Sequence, residues 1–183
     1  LSISRGTLLA AYLDVIRAVK WKNFVYLYEQ DESLYNFQQH FNGKSLKTVD
    51  MNVRILRFDP MRAFRDVFWK LKGTGSHQIM LDVRCEHLRT VLKHAQQVSM
   101  MTEAHSYLIV CPDTQAIDLD DFKFSRSRLI WFSATDPFSE AMELLAERSS
   151  EMNSRLIDSL PGFRLVPEQL STESALIHDA IEA

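Results

Sequence analysis

The chain has 183 residues, which suits one domain with a substantial hydrophobic core and leaves little room for two. Hydrophobic residues make up 46% and charged residues 25%, which is an ordinary composition for a globular protein. The apolar runs are all much shorter than the roughly 20 residues that a helix needs to cross a bilayer. The net charge is −3 and lysine and arginine form no dense block, which argues against a nucleic-acid partner and against contact of this segment with an anionic membrane.

The N-terminal part of the sequence alternates helical and strand patterns. Thr7 can cap a helix whose apolar residues recur at helical spacing as far as Val19. The β-branched and aromatic run Phe24–Tyr28 predicts a buried strand. Ser33 can cap a short helix that stops at Asn42-Gly43.

The next predicted strand has one polar face. Val53–Phe58 alternates apolar residues with Arg54 and Arg57, so we expect it to lie near an edge of a sheet. Asp59-Pro60 predicts the start of a helix, because proline is favoured at the first helical position. Gly73–Gly75 predicts the end of that helix.

The alternation continues to the end of the chain. The further predicted elements are a strand at Gln78–Val83, a helix at Cys85–Met101, strands at Ser106–Cys111 and Leu129–Phe132, a helix from Ser139 toward Leu160 and a helix from Ser171 or Thr172 to Ala180. Strands and helices in this order predict an α/β fold with three layers, in which a mostly parallel sheet carries helices on both faces. Such folds host many functions, so the fold alone names none.

The two cysteines, Cys85 and Cys111, stand at or beside predicted strand ends. A small disulfide-stapled scaffold would carry more cysteines, so we expect two buried or half-buried free thiols. A bridge between them is the alternative, and it requires Cα atoms within about 7 Å.

No catalytic or cofactor motif is complete. Gly73–Ser76 lacks the later residues of a phosphate loop and precedes a strand instead of following one, so a turn is expected. His87 and His94 are seven residues apart, whereas helical zinc sites use a spacing of four, so we expect a solvated helix face and no metal. We therefore predict a protein that is not an enzyme and has no cofactor.

Acidic residues at strand ends leave two interpretations. In a parallel sheet, binding and catalytic sites gather where strands end, and three acidic residues follow predicted strands: Asp82, Asp113 and Asp136. One interpretation is therefore a functional site. The other, which we favour, is structural, because Asp113 and Asp136 flank proline as turn-forming and helix-capping residues do. Asp118–Asp121 precedes a basic stretch and lacks the glycine of a calcium-binding loop, so a solvated loop is expected.

Three stretches spread over the chain carry a resemblance to a known family. Leu13–Lys22 contains Lys-Trp-Lys and leads into the strand Val25–Tyr28. Met100–Glu103, with the sequence Met-Met-Thr-Glu, precedes a strand containing Tyr107 and is the most specific piece. Ser174–Ala180 matches the closing helix. Together they resemble the amino-terminal domain of kainate-type ionotropic glutamate receptors.

The resemblance implies a clamshell of two lobes that is similar to periplasmic binding proteins. Residues 1–183 would form one α/β lobe, the second and membrane-proximal one, and residues 171–183 a crossover helix returning toward the first lobe. The implied function is an extracellular assembly module of a ligand-gated cation channel at the postsynaptic plasma membrane. The implied partners are other receptor subunits and auxiliary or synaptic proteins. The alternative is half of a clamshell that binds a small amino-acid-like molecule.

In the related receptors, the first helix of this lobe and a nearby edge strand meet a neighbouring subunit. The matching positions here are Ala10, Tyr12, Leu13, Ile16, Arg54, Leu56 and Arg57. We expect Leu13 and Ile16 to be core residues and Tyr12, which lies off the apolar stripe, to be exposed for contact. If a cleft binds a ligand, its candidates at the strand ends are Asp82, Arg84, Asp113 and Ser133.

Overall fold

A computed structural model describes residues 5–41, 51–58 and 64–133, together with positions 140, 143, 144 and 146. The chain divides into two compact units. The first, here called the sheet unit, comprises Ile3–Cys111 and Leu119–Phe132, and the second comprises Leu1–Ser2, Pro112–Asp118 and Ser133–Ala183. Of the helix predicted from Ser139, only the four isolated positions are described, and all are helical. The helix predicted from Ser171 lies outside the described residues.

The sheet unit alternates helices and strands as the sequence predicts. In chain order the described elements are α1 Arg5–Ala18, β1 Asn23–Tyr28, α2 Asp31–Phe41, β2 Asn52–Arg57, α3 Phe64–Lys72, β3 Gln78–Asp82, α4 Cys85–Gln97, β4 Ser106–Ile109 and β5 Arg128–Trp131. The five strands form one sheet in the order β2-β1-β3-β4-β5, and every neighbouring pair is parallel. The predicted α/β fold class is confirmed.

The central strands are covered on both faces. From β1, Phe24 and Tyr26 join a core cluster with residues of α1 and α2. Val25 and Leu27 are buried as well and, because side chains alternate along a strand, point to the opposite face. The helices α3 and α4 contact each other and bury Phe68 among their core residues. The sheet therefore separates two helical layers.

The helix α4 is shorter than the sequence predicts. It ends at Gln97 instead of Met101, because Ser99 adopts a left-handed backbone conformation with φ of 60°. The amides of Ser99 and Met100 then bond to carbonyls of the last turn. Among the described residues, no helix is long and apolar enough to cross a membrane.

The strand order creates a reversal in the middle of the sheet. The chain moves from β1 outward to β2 and then crosses back over β1 to β3, so the direction of winding reverses between β1 and β3. The carboxyl ends of strands at such a point are the usual place for ligands in open α/β sheets. The same order places β2 at the edge of the described sheet, which confirms the edge predicted from Arg54 and Arg57.

Candidate functional site

Three polar side chains meet where β1 and β3 end. The Tyr26 hydroxyl donates to Oδ2 of Asp82 at 2.7 Å and lies 3.1 Å from the carbonyl oxygen of Ser33. The Ser33 hydroxyl donates to Oδ1 of Asp82 at 3.1 Å. Burial, and then the negative charge of Asp82, raise the pKa of Tyr26, so this phenol stays protonated and keeps donating. The arrangement joins α2 to both strands.

A second cluster of polar residues surrounds the buried carboxylate of Glu29, the residue that directly follows β1. The backbone amide of Arg84 donates to Oε2 at 2.9 Å, and the Arg84 Nε donates to Oε1 at 2.7 Å. Nδ1 of His87 lies 3.0 Å from Oε1, which requires the tautomer with hydrogen on Nδ1 or the protonated ring. Arg84 also reaches Glu86, with 2.9 Å between Nη1 and Oε1.

The environment of Glu29 favours its charged form. Burial alone would raise its pKa, but the hydrogen bonds from Arg84 and His87 outweigh burial, so the pKa lies below its ordinary value of 4.5. A buried carboxylate is tolerated only when it is paired and hydrogen-bonded in this way. The site therefore holds its charge in a fixed structural network.

A disulfide joins the start of α4 to the segment after β4. Cys85 and Cys111 are bonded, with Cα atoms 5.6 Å apart. The expectation of two free thiols is wrong, because the adjacent parallel strands β3 and β4 bring the two residues together although they are 26 positions apart. Disulfides persist mainly in proteins of oxidising compartments.

The four cleft candidates fall in two separate compact units. Asp82 and Arg84 lie in the sheet unit at the winding reversal. Asp113 and Ser133 belong to the second unit, in which Asp113 is half-buried and Ser133 is exposed. Asp82 is the last residue of β3, and Arg84 follows it two positions later. Both already have partners inside the chain: Asp82 binds Tyr26, and Arg84 binds Glu29.

The histidines of α4 do not form a metal site. His87 is held by Glu29, while His94 packs against Phe64 with ring centroids 5.8 Å apart. Both histidines are partly buried because α3 packs against α4, so the expectation of a solvated face is wrong for them, whereas Arg89 and Lys93 are exposed as that expectation requires. Among the described residues, no three His, Cys, Asp or Glu side chains are grouped to hold a metal ion.

On α1, the helical interface candidates lie inside the sheet unit. Leu13 and Ile16 are buried, as expected, and Ala10 is half-buried. Tyr12 is fully buried too, so its expected position off the buried stripe is wrong. Its ring contacts Phe132 with centroids 4.8 Å apart, and burial raises its pKa to about 12. A side chain after β5 covers it, which helical spacing within α1 cannot reveal.

The strand candidates lie at the surface. Arg54 and Arg57 are exposed, and Leu56 is half-buried. Ile55, which the sequence analysis did not single out, is 39% exposed on the same strand. Arg57 reaches Asp31 of α2 at 3.3 Å. The edge strand thus presents apolar and positively charged side chains together.

Sequence reasoning missed Glu29, Tyr26 and Ser33 as site residues, and it considered His87 only as a metal ligand. The position of Glu29 immediately after a buried strand was an available signal, because strand ends gather polar groups in parallel sheets. The partners of Glu29 could not be read in the same way, since Arg84 and His87 are 55 and 58 positions away.

Comparison with known proteins covers nearly the whole chain. Residues 2–177 match the family described as "Receptor family ligand binding region". The chain is 23% identical over 171 residues to "Glutamate receptor ionotropic, kainate 1" of Rattus norvegicus, and equally so to the Homo sapiens protein of that name. Each alignment covers 93% of this chain and 18% of the relative, so the chain spans less than a fifth of the length of these curated relatives.

Proposed function

Because the chain belongs to the receptor family ligand binding region, we propose that it is one lobe, the second and membrane-proximal one, of the extracellular amino-terminal domain of a kainate-type ionotropic glutamate receptor subunit. The similarity that covers 93% of the chain carries this proposal. The parallel sheet suits a lobe of a binding-protein-like clamshell. The disulfide suits an extracellular location. A place at the postsynaptic plasma membrane is part of the proposal.

Membership in a family of receptor ligand-binding regions also confirms the prediction that the chain is not an enzyme. The proposed role is a subunit contact, with other receptor subunits as first partners and auxiliary or synaptic proteins as further ones. The proposed contact surface is the β2 edge, with Arg54, Leu56 and Arg57. The half-buried Ala10 of α1 is a separate candidate for subunit contact. The buried Tyr12, Leu13 and Ile16 belong to the core cluster of the sheet unit, where Tyr12 packs against Phe132 after β5.

Exposed Ile55 at the centre of this edge supports the role. Edge strands expose unpaired backbone groups, and an apolar side chain among arginines is typical of protein contacts. Sedimentation velocity of the 183-residue chain across concentration tests the surface. We expect reversible self-association that Ile55→Arg weakens and that Trp69→Arg, at a 55% exposed apolar position on α3, leaves unchanged. A monomer at all concentrations would contradict the surface.

A second candidate function follows from the family description as a ligand-binding region. Asp82 and the half-exposed Arg84 stand at the winding reversal of the sheet, where half of an amino-acid-binding cleft would lie, and Asp113 and Ser133 are its untested members. Against this candidate, Asp82 and Arg84 are occupied by Tyr26 and Glu29. Calorimetry with an amino-acid panel distinguishes the two functions: saturable heat that Arg84→Ala abolishes would favour the cleft.

A further inference from the structure

A polar groove of about 470 Å³ lies at the amino end of the sheet, opposite the end that carries Asp82 and Glu29. It is bordered by the first residues of β1, β2 and β3 and by the turn before β3. Most of its lining side chains are polar, and those that matter here are Asn23, Asn52, Arg54, Ser76, His77 and Gln78. No carboxylate occurs among the described residues that line it.

The turn before β3 forms one wall of the groove. Gly75 has φ of +65°, which glycine adopts without strain, and a Cβ atom there would meet nothing within 4 Å. The amides of Thr74 and Gly75 already donate to carbonyls of α3, so this turn is not an amide nest for phosphate. The hydroxyls of Thr74 and Ser76 lie 2.9 Å apart beside the open space.

Among the described residues that line the groove, Arg54 has a permanent positive charge and no carboxylate faces it. Arg54 and His77 are exposed lining residues, and the His77 ring contacts buried His105 at 5.1 Å between centroids. A guanidinium binds sulfate or carboxylate oxygens through paired N–H donors. Amides and hydroxyls both donate and accept, as sugar hydroxyls require.

We propose that this groove binds a sulfated sugar of a linear polysaccharide. Arg54 is the main contact to the sulfate, and the amides of Asn23, Asn52 and Gln78 bind sugar hydroxyls. The lining favours a sugar over an acidic peptide, because its two large apolar residues, Phe24 and Val25, are buried and offer no floor for apolar side chains. The volume exceeds that of a lone anion and admits a sugar ring.

The residues of this groove cannot be recognised as one site from the sequence alone. The groove draws its residues from segments beginning at positions 23, 52 and 74, and only the strand order β2-β1-β3 places them side by side. The polar residues of the groove therefore look dispersed in sequence although the fold gathers them at one end of the sheet. Arg54 also belongs to the proposed subunit contact, so the two surfaces overlap at this residue.

The probe for the test is a size-defined heparin hexasaccharide, titrated into the 183-residue chain at low salt. Matched probes are the same hexasaccharide without sulfate and a poly-glutamate peptide of equal charge. We expect binding of the sulfated probe alone. Arg54→Gln should weaken it about 10-fold or more, as loss of a charge-assisted contact does. Asn52→Asp, which puts a carboxylate in the groove, should weaken it similarly.

Arg57→Gln is the matched control, because it removes the same charge from the same strand at the opposite end of β2. Its affinity for the hexasaccharide should equal that of the unmodified chain. Equal losses in all three variants would mean unspecific attraction and overturn the proposal. Equal binding of poly-glutamate, or no binding of the sulfated probe, would overturn it as well. Thermal melting of each variant verifies that the fold is intact.

Discussion

At the scale of single residues, Glu29 is the side chain on which the carboxyl end of the sheet depends. Its carboxylate accepts three hydrogen bonds and is buried, so replacing it leaves donors of Arg84 and His87 without their acceptor. We expect Glu29→Gln to lower the free energy of unfolding at pH 7 by about 1 to 3 kcal/mol. Urea denaturation of this variant and of Glu103→Gln, an exposed carboxyl, makes the comparison.

The same residue gives a pH dependence with a definite sign. The pKa of Glu29 in the folded protein lies below its ordinary value of 4.5. The carboxylate therefore contributes fully to the free energy of unfolding above pH 4.5, and this contribution is lost as the pH falls through the folded pKa. In the Glu29→Gln variant, the free energy of unfolding should fall less steeply with decreasing pH below 4.5 than in the unmodified chain. An identical loss of stability below pH 4.5 in both proteins would contradict this assignment.

His94 gives a separate prediction with its own pH range. Its Nδ1 is buried and has no hydrogen-bond partner in the part of the chain that the structure describes. Burial, and then the charge of Arg65, lower its pKa. Below the ordinary value of 6.5 the unfolded ring binds a proton that the folded ring resists, so the folded state loses stability as the pH falls.

The variant His94→Leu should remove this loss and stabilise the protein by roughly 1 kcal/mol, because a buried unpaired nitrogen is replaced by an apolar group beside Phe64. Melting temperatures at pH 7.5 and 5.5 measure the effect. His105, whose pKa burial also lowers, keeps part of the pH dependence. His40→Gln serves as the control. If the melting temperature of His94→Leu falls between pH 7.5 and 5.5 by as much as that of the unmodified chain, the prediction is refuted.

At the scale of elements, the disulfide fixes the start of α4 to the segment after β4. It closes a loop with a sequence separation of 26, and a cross-link of that span stabilises the folded state by about 3 kcal/mol through the unfolded chain. Urea denaturation with and without reductant should show this difference. The double variant Cys85→Ala, Cys111→Ser should have the same free energy of unfolding with and without reductant. If reductant also destabilises this variant, its effect on the unmodified chain does not come from the disulfide.

Local patterns predicted the elements well, and long-range contacts account for what they missed. The alternation of strands and helices predicted the parallel sheet, and Arg54 and Arg57 predicted the edge position of β2. Tyr12 was misplaced because Phe132, 120 positions later by the numbering, covers it. The pairing of Cys85 with Cys111 and the partners of Glu29 likewise depend on which strands are neighbours. Spacing within one element contains no information on that order.

At the scale of the whole molecule, the position of each strand in the sheet predicts how its amides exchange with solvent. β1 is hydrogen-bonded to β2 on one side and to β3 on the other, and all but its first residue are buried. β2 has one strand neighbour among the described residues and exposed side chains along its length. Local opening costs least where few buried contacts must break, so the amides of β2 should exchange faster than those of β1.

Protein concentration turns this difference into a test of the proposed subunit contact. If chains meet along the β2 edge, raising the concentration into the associated range should slow exchange in a peptide covering residues 52–57. A peptide covering residues 79–82 of β3 should stay slow at both concentrations, since its side chains are already buried or half-buried. Hydrogen exchange followed by mass spectrometry measures both peptides, with Ile55→Arg as the more weakly associating reference. Association without protection of residues 52–57 would place the contact on another face of the protein.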